Sequence, residues 1–157
     1  MAKILAIIIA PNKILQEKSK DINPEDLKKP EMKDLLLDMK KTMLQEDGLG
    51  LAAPQIGKNL NIFVVNNKGK TLFIINPKLS KRSWAKVVDQ EGCLSIPNTY
   101  GDVLRHKKIN ISYIDQKGKK QKLSASNLLA RTVQHEYDHI NGVLFTDKAK
   151  NIILKED

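Results

Sequence analysis

The chain has 157 residues, 29% charged and 41% hydrophobic, which suits one soluble globular domain with a real core. No apolar run is long enough to cross a membrane as a helix. The formal net charge of +9 comes from lysines that read as scattered along the sequence, so a solvated lysine-rich surface is favoured over phosphate binding. Of the seven aromatics (one Trp, three Tyr, three Phe), none sits in a basic pattern suited to base stacking, and no specific nucleic-acid partner is expected.

Residues 4–10 (ILAIIIA) have the minimum length of a signal-peptide core. Pro11 ends the run and no small-x-small cleavage site follows, so a first strand or extended arm is expected, in a cytoplasmic protein. Cys93 is the only cysteine and cannot form an internal disulfide, in keeping with a reducing compartment. Across residues 24–47 the recurrence of Leu35, Leu36, Met39, Met43 and Leu44 predicts a helix. Residues 48–57 (GLGLAAPQIG) are too rich in Gly, Ala and Pro for a stable helix and suit backbone that passes close to a ligand. The run lacks a Gly-Lys-Ser/Thr ending and does not open a helix, which argues against a phosphate loop.

Residues 61–65 and 71–76 read as strands with a turn at 66–69, and residues 84–88 and 103–104 as weaker ones. Residues 109–114 alternate apolar and polar and turn at 115–118 into 121–123. No repeat, linker or domain boundary interrupts the chain. These elements predict a single-domain α+β fold over residues 1–157, antiparallel strands packed around a central metal-binding helix.

That helix starts near residue 124, with Ser126 or Asn127 as N-cap and Gly142 as its stop. Leu128, Leu129, Thr132 and Val133 form its apolar stripe. Its last turns carry His135, Glu136 and His139. Residues i and i+4 share a helix face, so two imidazoles there can grip one metal ion while Glu136 handles protons beside it. Ordinary core or surface histidines at helical spacing are the plainer alternative. A catalytic site needs a third protein ligand and an open position for water. Beyond Gly142 only Asp147, Glu156 and Asp157 are available, near a chain end expected to fray. Upstream, Glu91-Gly92-Cys93-Leu94-Ser95 offers Cys93 as a nucleophile, an inert core residue or a thiolate ligand. The metal motif favours the ligand.

Residues 48–55 (GLGLAAPQ), 91–95 (EGCLS) and 134–142 (QHEYDHING) together resemble the three motifs of the peptide deformylase family, in order, within a likeness running from about residue 11 to 147. The resemblance implies a metal-dependent hydrolase that removes the formyl group from N-formylmethionine of newly made polypeptides and releases formate. Cys93, His135 and His139 would hold one divalent ion, Fe²⁺ in the cell and Zn²⁺, Ni²⁺ or Co²⁺ in some preparations. Water activated by the ion attacks the formyl carbon with Glu136 as general base and acid. The Gln55 side-chain amide and the Leu94 backbone N–H would stabilise the oxyanion. Backbone at Leu49, Gly50 and Gly92 would pair with the extended substrate, side chains at Gly48 or Gly50 obstructing it, and Leu49, Leu94 and Leu128 would receive the methionine side chain. Plain core is the alternative for these leucines.

Glu91 and Arg105 would orient His135 as a buried pair, a surface salt bridge being the alternative. His106, in a Lys/Arg-rich turn, is expected to be exposed, and Tyr100 to lie near the mouth. Many family members continue beyond the metal helix with a segment used at the ribosome. Only residues 148–157 remain here, so ribosome association is expected to be weak, carried by the lysine-rich surface instead of that segment, or absent. A zinc endopeptidase would need a downstream ligand in place of Cys93, and a non-enzymatic RNA-binding domain would leave all three motifs unexplained.

Overall fold

The structure, a computed structural model, describes residues 1–156. Asp157, one of the three downstream acids considered above, lies outside the described residues. Two antiparallel sheets and two helices make up the fold. Five strands pair in the order β1–β2–β3–β6–β7, and three in the order β4–β5–β8.

The first helix is shorter than its sequence pattern. Pro24–Lys28 is a 3₁₀ turn and α1 spans Pro30–Gln45. Pro30 forces Lys29 out of helical geometry, to φ −70° and ψ 138°, as proline does to the residue before it. Leu36, Met39 and Met43 are buried, whereas Leu44 is exposed. Residues 48–57 hold β1 (Gly50–Ala52) and a 3₁₀ turn, Ala53–Ile56. β2 (Ile62–Asn67) and β3 (Lys70–Arg82) are joined by Lys68-Gly69. Both turn residues have positive φ, the geometry whose twist matches a tight hairpin, so the turn is two residues shorter than expected.

The weak strand signal at 103–104 and the last three residues of that at 84–88 lie within the long hairpin of β4 (Lys86–Cys93) and β5 (Ile96–His106), whereas Trp84 and Ala85 form the turn before it. Polar residues along both strands hid it. β6 (Lys108–Ile114) and β7 (Lys120–Ser126) follow, then α2, Asn127–Ile140. Residues 124–126 continue β7 instead of opening the helix. The chain end is not frayed through Leu154, because β8 (Lys150–Leu154) pairs with β5. Residues 1–9 form an extended arm without strand pairing.

The five-stranded sheet is buried on both faces at its β1–β2 end. Leu51, Ile62, Val64 and Ile75 pack with Leu36, Met39 and Met43 of α1, and Ala52, Phe63, Val65 and Ile74 with Ala130 and Val133 of α2. α2 thereby lies between this sheet and β5 of the smaller one.

Candidate metal centre

Three chain segments converge on the inner face of α2. The helix presents His135, Glu136 and His139 on adjacent turns. The β4–β5 hairpin ends in the two-residue loop Leu94-Ser95, which leaves Cys93 at its tip. Cys93 Sγ lies 3.2 Å from His139 Nε2, and one donor atom from each of Cys93, His135 and His139 falls within 4.8 Å of the others. The 3₁₀ turn after β1 contributes Gln55, whose Oε1 accepts from Ala52 N–H at 2.9 Å. That bond fixes the amide, so Nε2 points at Ser95 Oγ (3.2 Å) and Cys93 Sγ (3.5 Å).

Around this group lies a buried charge network. His135 Nδ1 meets Glu91 Oε1 at 2.8 Å, leaving Nε2 as its free ligand atom. Arg105 grips Glu91 with two hydrogen bonds of 2.9 Å and also donates to Asp138. Glu91 and Arg105 are therefore a buried pair; the surface salt bridge is excluded. Arg131 adds a third anchor. It donates to Glu91 Oε2 at 2.6 Å and to the carbonyls of Val87 (2.6 Å) and Val103 (2.9 Å). Phe145 stacks on the His135 ring at 6.1 Å between centroids.

Electrostatics follow from this arrangement. Burial alone would raise the Glu91 carboxyl, but hydrogen bonds from Arg105 and His135 hold it well below the usual carboxylate range. Glu136 has no such donor, and burial pushes it up to about 7. Burial also holds His139 down, in its neutral form. Burial would lower His135 too, yet hydrogen bonds to Cys93 and Glu91 raise it to about 10. A spot that draws a proton onto a buried imidazole is one of negative potential, as a cation site requires.

The donor set fits a divalent transition metal: one sulfur and two imidazole nitrogens, the combination such ions favour. Glu136 Oε2 and His139 Nδ1 are buried without a hydrogen-bond partner among the described residues. An orphaned carboxylate oxygen beside a metal site is where a water would be held.

Sequence reasoning named most of these residues, and the structure adds constraints that the sequence did not show. Gly50 matters for a contact within the protein: a Cβ there would stand 2.7 Å from Glu136 Oε1. At Gly92 a Cβ would meet the Tyr100 ring at 2.8 Å. Leu128 is 59% exposed, so it is not core; it lines the cleft, and the helix's buried apolar side is Ala130, Val133 and Ile140. His106 is half-buried at the end of β5, its Nδ1 2.8 Å from Ser83 O and its backbone bonded to the Gln134 side chain, and it is not one of the three grouped ligand residues. Arg131 and Asp138 were missed, although Arg131 lies one turn before His135 on the same face. The cleft over the metal group measures about 840 Å³ and is lined by Leu49, Leu94 and Leu128 together with Leu5, Ile7 and Ile9 of the arm. Tyr100 also lines it. Bonds from Ile8 N–H to Gln55 O (2.7 Å) and Ala10 N–H to Ser95 O (2.8 Å) hold the arm there.

A cysteine sulfur and two imidazoles set beside a buried carboxyl of raised pKa under an apolar cleft are the parts of a metal-dependent hydrolase. Residues 4–154 match the family model for polypeptide deformylase. The peptide deformylase of Microchaete diplosiphon is 42% identical over 89% of this chain and 76% of its own length. That of Borreliella burgdorferi is 41% identical over 96% and 93%. Among solved structures, a Synechococcus elongatus peptide deformylase in complex with actinonin superposes with a TM-score of 0.88 at 40% identity, covering 96% of this chain and 82% of that one. The Thermotoga maritima peptide deformylase gives 0.90 at 30% identity, covering 94% and 99%. The chain belongs to the polypeptide deformylase family, a family of enzymes.

Proposed function

We propose that the chain deformylates nascent polypeptides in the cytoplasm, hydrolysing the N-formyl group of their first methionine to formate and a free amine, with residues 1–157 as one catalytic domain. The observation that carries this is the Cys93–His135–His139 group with Glu136 beside it. Cys93 Sγ, His135 Nε2 and His139 Nε2 would hold one divalent ion on the α2 helix, Fe²⁺ in the cell, replaced by Zn²⁺, Ni²⁺ or Co²⁺ in some preparations. Bound there, such an ion supplies a Lewis acid that makes water a nucleophile near neutral pH.

Glu136 Oε2 takes the proton of the attacking water and returns it to the departing amine. The Gln55 Nε2–H, aimed by the Ala52 N–H bond, and the Leu94 backbone N–H donate to the developing oxyanion. Backbone at Leu49, Gly50 and Gly92 aligns the substrate as an added strand, and the methionine side chain enters among Leu49, Leu94 and Leu128. Glu91, held by Arg105 and Arg131, fixes the His135 tautomer. Association with the ribosome would be weak.

Formate release from a formyl-methionyl tripeptide by anaerobically purified protein tests the reading. Release without internal cleavage of longer peptides is expected; internal cleavage with no formate would make the chain an endopeptidase. A thiolate-held ferrous ion is open to oxidation. The iron form is therefore expected to lose activity in air while the nickel form keeps it; equal loss in both would count against iron at the thiolate.

A further inference from the structure

The net charge is not scattered. Residues 68–88 and 106–126 contain twelve of the 27 Lys and Arg but one acid, Asp115; the rest of the chain has 15 cations against 17 acids. The whole positive excess thus belongs to β3, the start of β4, β6, β7 and their turns.

Register places much of it on one face. Three cross-strand rows run over β3–β6–β7: Lys78–Ser112–Lys122, Lys81–Asn110–Ser124 and, across the turn, Ser83–Lys108–Ser126. The opposite side of the same strands carries Leu79, Ile109, Ile111, Leu123 and Ala125, which pack with α2. α1 covers the sheet at β1, β2 and the first half of β3, where Phe73 and Ile75 pack with Met39 and Met43, while the polar face past Pro77 carries the three rows, with all four of their lysines exposed. Successive rows are roughly 7 Å apart along the strands, a spacing an extended phosphate backbone can follow.

Trp84 stands at the edge of this face, 100% exposed, between Arg82 and Lys86. The turn that carries it is locked to the β5–β6 turn: Ser83 N–H donates to Lys108 O (2.9 Å), Lys107 N–H to Ala85 O (2.9 Å) and Lys108 N–H to Ser83 Oγ (3.0 Å). These bonds set the backbone of Lys107 and Lys108 against the turn that carries Trp84, which in sequence is flanked only by Arg82 and Lys86. Sequence order alone shows no basic-aromatic pattern suited to base stacking; the juxtaposition of these two turns exists only once β5–β6 folds against β3–β4.

We infer that the Lys/Ser/Asn face of β3–β6–β7, with Trp84 at its rim, is a surface for single-stranded RNA bound without sequence preference. Lysines neutralise phosphates, an exposed ring stacks on any base, and hydroxyl and amide side chains between the lysines suit the ribose 2′-OH. A membrane surface is disfavoured: the three rows contain no apolar residue, and the one indole is too little to anchor in lipid. The face is turned away from the cleft, so binding here is independent of the reaction proposed above.

Trp84 is the only tryptophan, so its fluorescence reports the contact directly. Titrating the intact protein with oligouridine RNA is expected to quench it saturably, with binding that weakens steeply in salt. Lys78→Glu/Lys81→Glu/Lys122→Glu should weaken binding by tenfold or more and flatten the salt dependence; the milder Lys→Gln set should do the same to a smaller degree. Trp84→Ala, followed by anisotropy of labelled RNA, should weaken binding about tenfold and leave the salt slope unchanged. Formate release should be unaffected in all of them, which checks the fold. The inference is overturned if quenching is absent. It is equally overturned if reversing Lys13, Lys33 and Lys40 on the rest of the surface costs as much, or if single-stranded DNA or phosphatidylglycerol vesicles bind more tightly than RNA.

Discussion

Glu91 and Glu136 are carboxyls a few ångströms from the same histidine, and their surroundings drive them in opposite directions. Glu91 is depressed by Arg105 and His135 against the pull of burial. Its ionised form therefore contributes stability that is present above the unfolded carboxyl pKa, about 4.3, and lost as pH falls toward its folded value. Acid unfolding monitored by circular dichroism should begin at higher pH in Arg105→Met, and an unchanged midpoint would contradict the network. Glu136 is raised by burial to about 7, so it costs stability as pH climbs from its unfolded pKa through that value. Glu136→Gln should stabilise the metal-free protein by up to about 3 kcal/mol at pH 8 and hardly at pH 4, measured by urea unfolding. Equal stability of the two proteins at pH 8 would contradict it.

Arg131 is a positioning residue on this account. It joins α2, which carries the histidines, to the backbone of both strands of the hairpin that carries Cys93. Arg131→Leu should weaken cobalt binding by about 10- to 100-fold, the usual cost of losing a partner behind a ligand, and shift the thiolate-to-cobalt absorption. Arg131→Lys should restore part of the affinity. Unchanged binding in Arg131→Leu would assign it to packing alone.

At the scale of elements, α2 and the β4–β5 hairpin must hold one geometry, and the glycine-rich segment must slide between them. Gly50→Ala puts a methyl group into Glu136. It is expected to cut formate release by more than tenfold with metal content intact, the outcome of misplacing a proton carrier by about an ångström; full activity would mean that Glu136 has room to move. These dependencies also explain what was legible in the sequence. His135, Glu136 and His139 were readable because helix periodicity places them by local rules. Cys93 could be favoured as the third ligand because a catalytic site needs one and little else is available. Its distance from the histidines in sequence left a nucleophile or core role open until the flanking residues were matched to a known family. The β4–β5 hairpin was underestimated because Lys86, Asp89, Gln90 and Asn98 break the alternation that marks a strand. Arg131 was passed over because an arginine on a helix usually reads as surface, and only the hairpin's buried carbonyls reveal its purpose.

For the whole molecule, the two faces of the larger sheet divide the work. One face packs against α2 along its length and supports the cleft, while the other, covered by α1 at the β1–β2 end, holds the positive charge on β3, β6 and β7. Charge counting along the sequence missed this division because β3 and β6–β7 are separated by the β4–β5 hairpin. Metal also acts on the whole fold, since an ion bound only by the native arrangement stabilises it by mass action. Stripping it with a chelator should lower the Tm by roughly 10 °C, reversibly on adding nickel or cobalt. No shift would mean that Cys93, His135 and His139 do not hold the ion. The most direct test of the central claim is formate release from a formyl-methionyl tripeptide by the metal-loaded protein beside Glu136→Ala, with metal content measured in both. The account predicts release by the first and a loss of at least about a thousandfold in the second at equal metal content. No release from fully loaded wild-type protein, or undiminished release from the variant, would contradict it.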